Sequence, residues 1–209
     1  MSLASPVSET RSRRADDQRR RILDAAVACF ARSGFHAASM QQICAEAGMS
    51  PGALYRYFPS KDSLIEAIVE RDRADVPELL APLLEAEDVV GALVEAGVRF
   101  MSGALQPDGM PIYAELCAEA VRNPHIHAIN QRCEREIHDL LTRVVRRGQA
   151  LGQIDPALDP VEAVRLLSAL ADGLATRLAL EPDADLSGLT PVFERAVRRF
   201  LAAQTEPGQ

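Results

Sequence analysis

The chain has 209 residues, 47% hydrophobic and 25% charged, enough apolar surface for a buried core and too much for a disordered polymer. Its longest stretch without Asp, Glu, Lys or Arg, Ser33–Ala45, is 13 residues, short of the roughly 20 that a membrane-spanning helix needs. The net charge of −7 is unevenly spread, with nine basic and five acidic residues in 1–61 (net +4) against 14 and 25 in the remainder (net −11); this points to a basic head meeting a polyanion, although a solvated N-terminal helix with a loose basic tail would carry the same charge.

Alanine occurs 33 times and β-branched or aromatic runs are scarce, so an all-α chain is expected. Residues 1–15, rich in Ser, Arg and Thr, read as a flexible basic arm without the apolar run of a secretory signal, which implies a cytoplasmic location. The first helix is expected from Asp17 to Ser33, with Ile22, Leu23, Ala26, Val27 and Phe30 on one face and Gly34 as its stop. Ser39 and Gln42 form a capping-box pattern for a short second helix whose inner face is Met40, Ile43, Cys44 and Ala47. Gly48 ends that helix, and Ser50 with Pro51 opens a third. Two short helices joined this tightly form a helix-turn-helix. Phe58-Pro59 closes the third helix, and Ser60 caps a fourth carrying Leu64, Ile65, Ile68 and Val69. Pro77 and Pro82 interrupt the helical pattern after Val76, and further helices are expected at 88–105, 111–122, 124–150, 159–180 and 189–203.

In a helix-turn-helix the second helix enters the major groove, so it needs a low profile at its start and polar groups outward. Ser50, Pro51, Gly52 and Ala53 supply the low profile, and Ser50 can donate to a phosphate there. Tyr55 and Tyr57 flank Arg56 on the outer side, while Leu54 and Phe58 face inward. Lys61 opens the fourth helix against its dipole, a conflict that a phosphate would relieve. A pair of half-buried tyrosines is the alternative reading of Tyr55 and Tyr57.

The runs Ile22-Leu23-Asp24-Ala25-Ala26, Gly34-Phe35, Ile43-Cys44-Ala45-Glu46-Ala47-Gly48-Met49-Ser50 and Gly52-Ala53-Leu54-Tyr55-Arg56-Tyr57-Phe58-Pro59-Ser60-Lys61 resemble the DNA-binding domain of the TetR family of transcriptional regulators, over about residues 17–68. The resemblance implies an all-α homodimer with a helix-turn-helix domain at 16–62 and an effector-binding and dimerisation domain at 63–205. Its implied DNA contacts are Ser39, Gln41, Ser50, Gly52, Ala53, Tyr55, Arg56, Tyr57 and Lys61. Pro51 departs from the lysine that many members carry at that position; the basic run Arg11 to Arg21 is a candidate replacement for the lost phosphate contact. In the C-terminal half, Tyr113-Ala114-Glu115-Leu116 through Arg122-Asn123-Pro124 resembles a subgroup that includes choline-responsive regulators.

In the body, Val164, Leu167, Ala171, Leu174 and Leu178 form a seam for another helix, and Val192, Phe193, Ala196, Val197 and Phe200 add a second apolar face. Both faces fit a two-fold interface, with the subunit's own core as the alternative. Candidate effector-pocket residues are Leu93, Gly97, Phe100, Met101, Met110, Tyr113, Leu116, Cys117, Ile129, Cys133 and Ile137, an adaptable apolar set that could equally be plain core. With Phe100, Tyr113, Phe193 and Phe200 the only aromatics beyond residue 61, an aromatic cage for a quaternary ammonium is not expected. Cys29, Cys44, Cys117 and Cys133 form no CxxC pair and read as reduced core thiols. His125 and His127 fall on different sides of a helix, and His138 pairs with Glu134. No nucleophile elbow, P-loop or HExxH is present, and neither a metal nor a cofactor is expected. The expectation is a non-enzymatic repressor released from a palindromic DNA operator by a small, largely apolar effector. Two alternatives are a DNA-bound structural or cell-division factor controlled by a protein partner, and a small helical enzyme with a vestigial helix-turn-helix.

Overall fold

Nothing between Val7 and Ser33 breaks a helix, because the stretch has neither Gly nor Pro, and α1 runs from Pro6 to Ser33. The computed structural model describes residues 6–203 except 75, 107–108 and 182–184. Residues 6–15, expected as a flexible arm, therefore continue α1; residues 1–5 of that arm lie outside the described residues. The chain continues through α2 (Met40–Glu46), α3 (Pro51–Tyr57), α4 (Lys61–Ala74), α5 (Val76–Leu80) and a 3-10 turn (Ala81–Leu84). Beyond it lie α6 (Val89–Ala104), α7 (Gly109–Arg122), α8 (Pro124–Ala150), α9 (Pro160–Leu180) and α10 (Leu186–Leu201). Among the described residues there is no strand, as the composition requires.

The chain divides into two compact units. The first comprises residues up to Arg71 together with Pro111–Ile129. Ile22, Ala26, Phe30, Ile43, Leu54, Phe58 and Leu64 are buried there, and α1 packs on α2 and α2 on α3. The expected boundary after residue 62 falls inside α4, whose apolar residues Leu64, Ile65, Ile68 and Val69 are all buried.

The second unit comprises Asp72–Met110 and residues from Asn130 onward. Here α6 packs on both α9 and α10, around Val89, Met101, Val144, Ala175, Phe193 and Leu201. Asp88 caps α6 by accepting the Gly91 amide, which holds its carboxyl below the usual carboxylate range; Arg198 at 3.3 Å adds to this. The cap's contribution is therefore complete above the ordinary aspartate range and is lost as pH falls through the lowered value. Asp185 caps α10, so this helix begins at Leu186 rather than 189 and carries Pro191 inside it. The ring there removes one donor from the ladder.

The seam on α9 faces inward. Val164, Leu178 and Phe193 belong to the core of the second unit, and Ala171 is buried. Leu167, Leu174 and Phe200 are half-buried against that core, and only Val192 and Ala196 of the expected interface are exposed. A helix of this length buries one stripe, and the chain's own α6 takes it.

Gly97 lets the Phe193 ring sit directly on α6, since a Cβ there would lie 2.6 Å from Cζ. Replacing Gly97 by Ala is expected to lower stability by about 1–2 kcal/mol, the overpacking cost exceeding the gain in helix propensity. Urea denaturation checks this, and the companion change Phe193→Leu is expected to recover part of the loss in a double-mutant cycle.

Candidate nucleic-acid interface

The link from α2 to α3 is a Schellman turn. The Met49 amide donates to the Cys44 carbonyl at 3.0 Å and the Gly48 amide to Ala45 at 3.1 Å, with Gly48 at φ +64°. Arg21 of α1 donates to the Ala47 carbonyl at 2.9 Å and ties down the end of α2. Leu54 of α3 and its C-cap residue Phe58 are fully buried, so the opposite side of this two-turn helix must face solvent. Tyr55 is 49% exposed, Arg56 is exposed and Tyr57 is half-buried. Ser50 and Gly52 are exposed and Ala53 half-buried; a Cβ on Gly52 would meet nothing within 4 Å. The Ser50 hydroxyl makes no cap hydrogen bond. Ser39, by contrast, is engaged in the expected capping box, its Oγ accepting the Gln42 amide at 3.2 Å while its own amide donates to Gln42 Oε1 at 2.7 Å. Gln41 is exposed beside it.

Lys61 is placed differently from the expectation. Its Nζ donates to the carbonyls of Phe35 at 2.8 Å, Ala38 at 3.0 Å and His36 at 3.1 Å, and it sits 4.7 Å from the centroid of the Phe35 ring. An ammonium has three donors, and all three are taken by the turn between α1 and α2. The residue therefore relieves unpaired carbonyls of that turn. A lysine opening a helix is an anomaly visible in the sequence, but its partners are backbone groups that no side-chain pattern reveals. Arg19 stacks over Phe58 at 4.6 Å, so part of the basic run in α1 also serves the packing of the head.

The effector-pocket candidates divide between the two units. Leu93 and Met101 are core residues of the second unit, where Gly97 seats Phe193. Met110 and Ile137 pack half-buried on that core, Cys133 is half-buried and Phe100 is exposed. Tyr113, Leu116, Cys117 and Ile129 fall in the first unit, with Ile129 buried and Tyr113 and Leu116 half-buried. Cys117 is exposed and so is not a core thiol, because its position on α7 faces away from the packed side; Cys29 and Cys44 are buried. Burial pushes the Cys29 thiol up despite the nearby Arg32. His138 lies 3.8 Å from Glu134, the expected pair, while His125 approaches Glu66 at 4.0 Å. Among the described residues no cluster of His, Cys, Asp and Glu could hold a metal ion, and no helix is long and apolar enough to cross a membrane.

A tight turn between two short helices, the second anchored by Leu54 and Phe58 and presenting Tyr55 and Arg56 outward, defines a helix-turn-helix DNA-binding protein. The chain belongs to the TetR family. The profile of the bacterial regulatory proteins, tetR family, matches residues 22–68, and that of the BetI-type transcriptional repressor, C-terminal, matches 99–206. The HTH-type transcriptional regulator UidR of Escherichia coli K12 is 32% identical over 167 residues, 80% of this chain and 84% of that one. The HTH-type transcriptional repressor AcnR of Corynebacterium diphtheriae is 25% identical, covering 87% and 92%. Among solved structures, Salmonella enterica GusR matches with a TM-score of 0.76 at 30% identity, covering 95% of this chain and 98% of that one. The protein is a DNA-binding transcriptional regulator.

Replacing Lys61 by Met is expected to cost about 1.5–3 kcal/mol of stability, the value of hydrogen bonds from a charged donor. Arg56→Ala, at an exposed site, is expected to stay within about 0.5 kcal/mol of the parent. Chemical denaturation of the two variants side by side checks the contrast.

Proposed function

We propose that the chain works as a two-fold dimer that reads a palindromic operator through α3 and represses transcription until a small, largely apolar effector releases it. The observation that carries this reading is the outward face of α3, where Tyr55 and Arg56 are exposed above the buried Leu54 and Phe58. Arg56 reads base edges, and Ser50, Tyr55 and Tyr57 fix the register on phosphates. A dimer sets two such helices about 34–36 Å apart, one turn of the duplex.

The second copy is supported by apolar residues that the chain leaves uncovered. On α9, Leu166 (52% exposed) and Leu180 (68%) lie seven residues either side of Gly173, where a Cβ would meet nothing within 4 Å. Val192 of α10 is 56% exposed. A stripe recurring every seven residues with a glycine at its centre admits a partner helix closely. Sequence spacing does not single out Leu166 and Leu180, because the inward seam shares the same helix and the same spacing.

For the effector, the half-buried Met110, Ile137 and Leu141 beside the core of the second unit are adaptable apolar surface. Release requires that the effector bind one conformation better than the other. The reading assigns no catalysis to the chain. Ser168 at 3.4 Å and Glu134 at 3.8 Å both approach the same nitrogen of His138, Nε2, whereas a relay needs them on opposite nitrogens. Such a regulator acts in the cytoplasm, where its operator is.

Fluorescence anisotropy with a duplex from the region upstream of its own gene, against a scrambled duplex, tests the reading. The wild type is expected to prefer the upstream duplex, and Arg56→Ala to lose about 1–3 kcal/mol of that preference. Equal binding of both duplexes by the wild type overturns it. Separately, Leu166→Glu is expected to sediment as a monomer and to bind the operator more weakly than the parent.

A further inference from the structure

We infer that Glu115 and Glu119 of α7 are positioning residues for DNA reading, holding the turn from which α2 departs; the inference rests on the operator-binding function proposed above. The two carboxylates stand four residues apart on one helix face, an arrangement unfavourable for like charges unless each has a partner. Both partners lie in the turn between α1 and α2. The Phe35 amide donates to Glu115 Oε2 at 2.7 Å, and His36 Nε2 lies 3.0 Å from Glu119 Oε2. Glu119 is only 5% exposed, so its carboxyl needs a hydrogen-bonding partner, and His36 supplies one. Gly34 makes room for the approach, since a Cβ there would sit 3.2 Å from Glu115 Oε1.

Lys61 takes the carbonyls of Phe35, His36 and Ala38. The turn is thus held by an ammonium on its acceptors and a carboxylate on its donor. Ser39, the next residue, is the N-cap of α2, and the Schellman turn fixes α3 to α2. The direction in which α2 leaves Ala38 therefore sets the pose of the reading helix, and α7 holds that direction through Glu115.

The test compares Glu115→Ala with Glu115→Gln in the full chain. Both remove the charge, but only glutamine keeps an oxygen that accepts the Phe35 amide. Operator affinity is read by anisotropy, the Phe35 amide by hydrogen exchange, and folding by circular dichroism. Glu115→Ala is expected to bind the operator about tenfold more weakly, ~1.4 kcal/mol, with faster exchange at Phe35. Glu115→Gln is expected to stay within about threefold of wild type, since it keeps the hydrogen bond. Equal operator binding by the two variants overturns the inference while leaving the operator reading intact. A wild type without preference for the operator overturns that reading instead, and the inference with it. If Glu115→Ala does not fold, Glu119→Ala and Glu119→Gln serve as the pair, with the same ordering expected and equal binding again decisive against the inference.

Discussion

Four backbone groups in the turn between α1 and α2 are satisfied by charged side chains. Three carbonyls go to the single ammonium of Lys61, and the Phe35 amide goes to a carboxylate. Phe35 and Ala38 are buried, so these groups could not be left to water without a penalty comparable to a lost hydrogen bond. The satisfied turn fixes where α2 starts. From there the chain is determined locally: a capping box opens α2, a Schellman turn closes it, and α3 begins at once.

The outward face of α3 comes from its brevity. Leu54 and Phe58, one turn apart, hold a helix of seven residues against the head. With that side committed, Tyr55 and Arg56 have nowhere to go but outward. The same economy explains why part of the basic run in α1 turns inward. Arg21 caps α2 and Arg19 covers Phe58, so positive charge that reads as a nucleic-acid signal also stabilises the reading unit.

The head is legible in the sequence because its signals are local. Caps, a glycine at a helix end and a run of apolar residues with helical spacing each act over a few residues, and they place α2, α3 and α4. The extension of α1 to Pro6 is not legible, because a polar, arginine-rich stretch lacks an apolar face, although nothing in it prevents a helix. The contacts of Lys61 are not legible, because the carbonyls it meets are more than twenty residues away in the chain. The seam on α9 is legible as a stripe but lies on the inner face, since periodicity identifies a stripe without saying what covers it. Glu115 and Glu119 lie in a stretch that the sequence marks only by resemblance, and nothing there shows their partners, because a carboxylate paired with a distant amide or imidazole resembles any solvated acid.

The contact between Gly97 and Phe193 has a consequence for how such chains diverge. A hydrogen atom on α6 faces a six-membered ring on α10, and neither position can change size alone. Lineages descending from a common ancestor will therefore trade bulk between the two sites together: a methyl or larger group at 97 will travel with a smaller side chain at 193. The two columns will co-vary across an alignment even though 96 positions separate them in the chain.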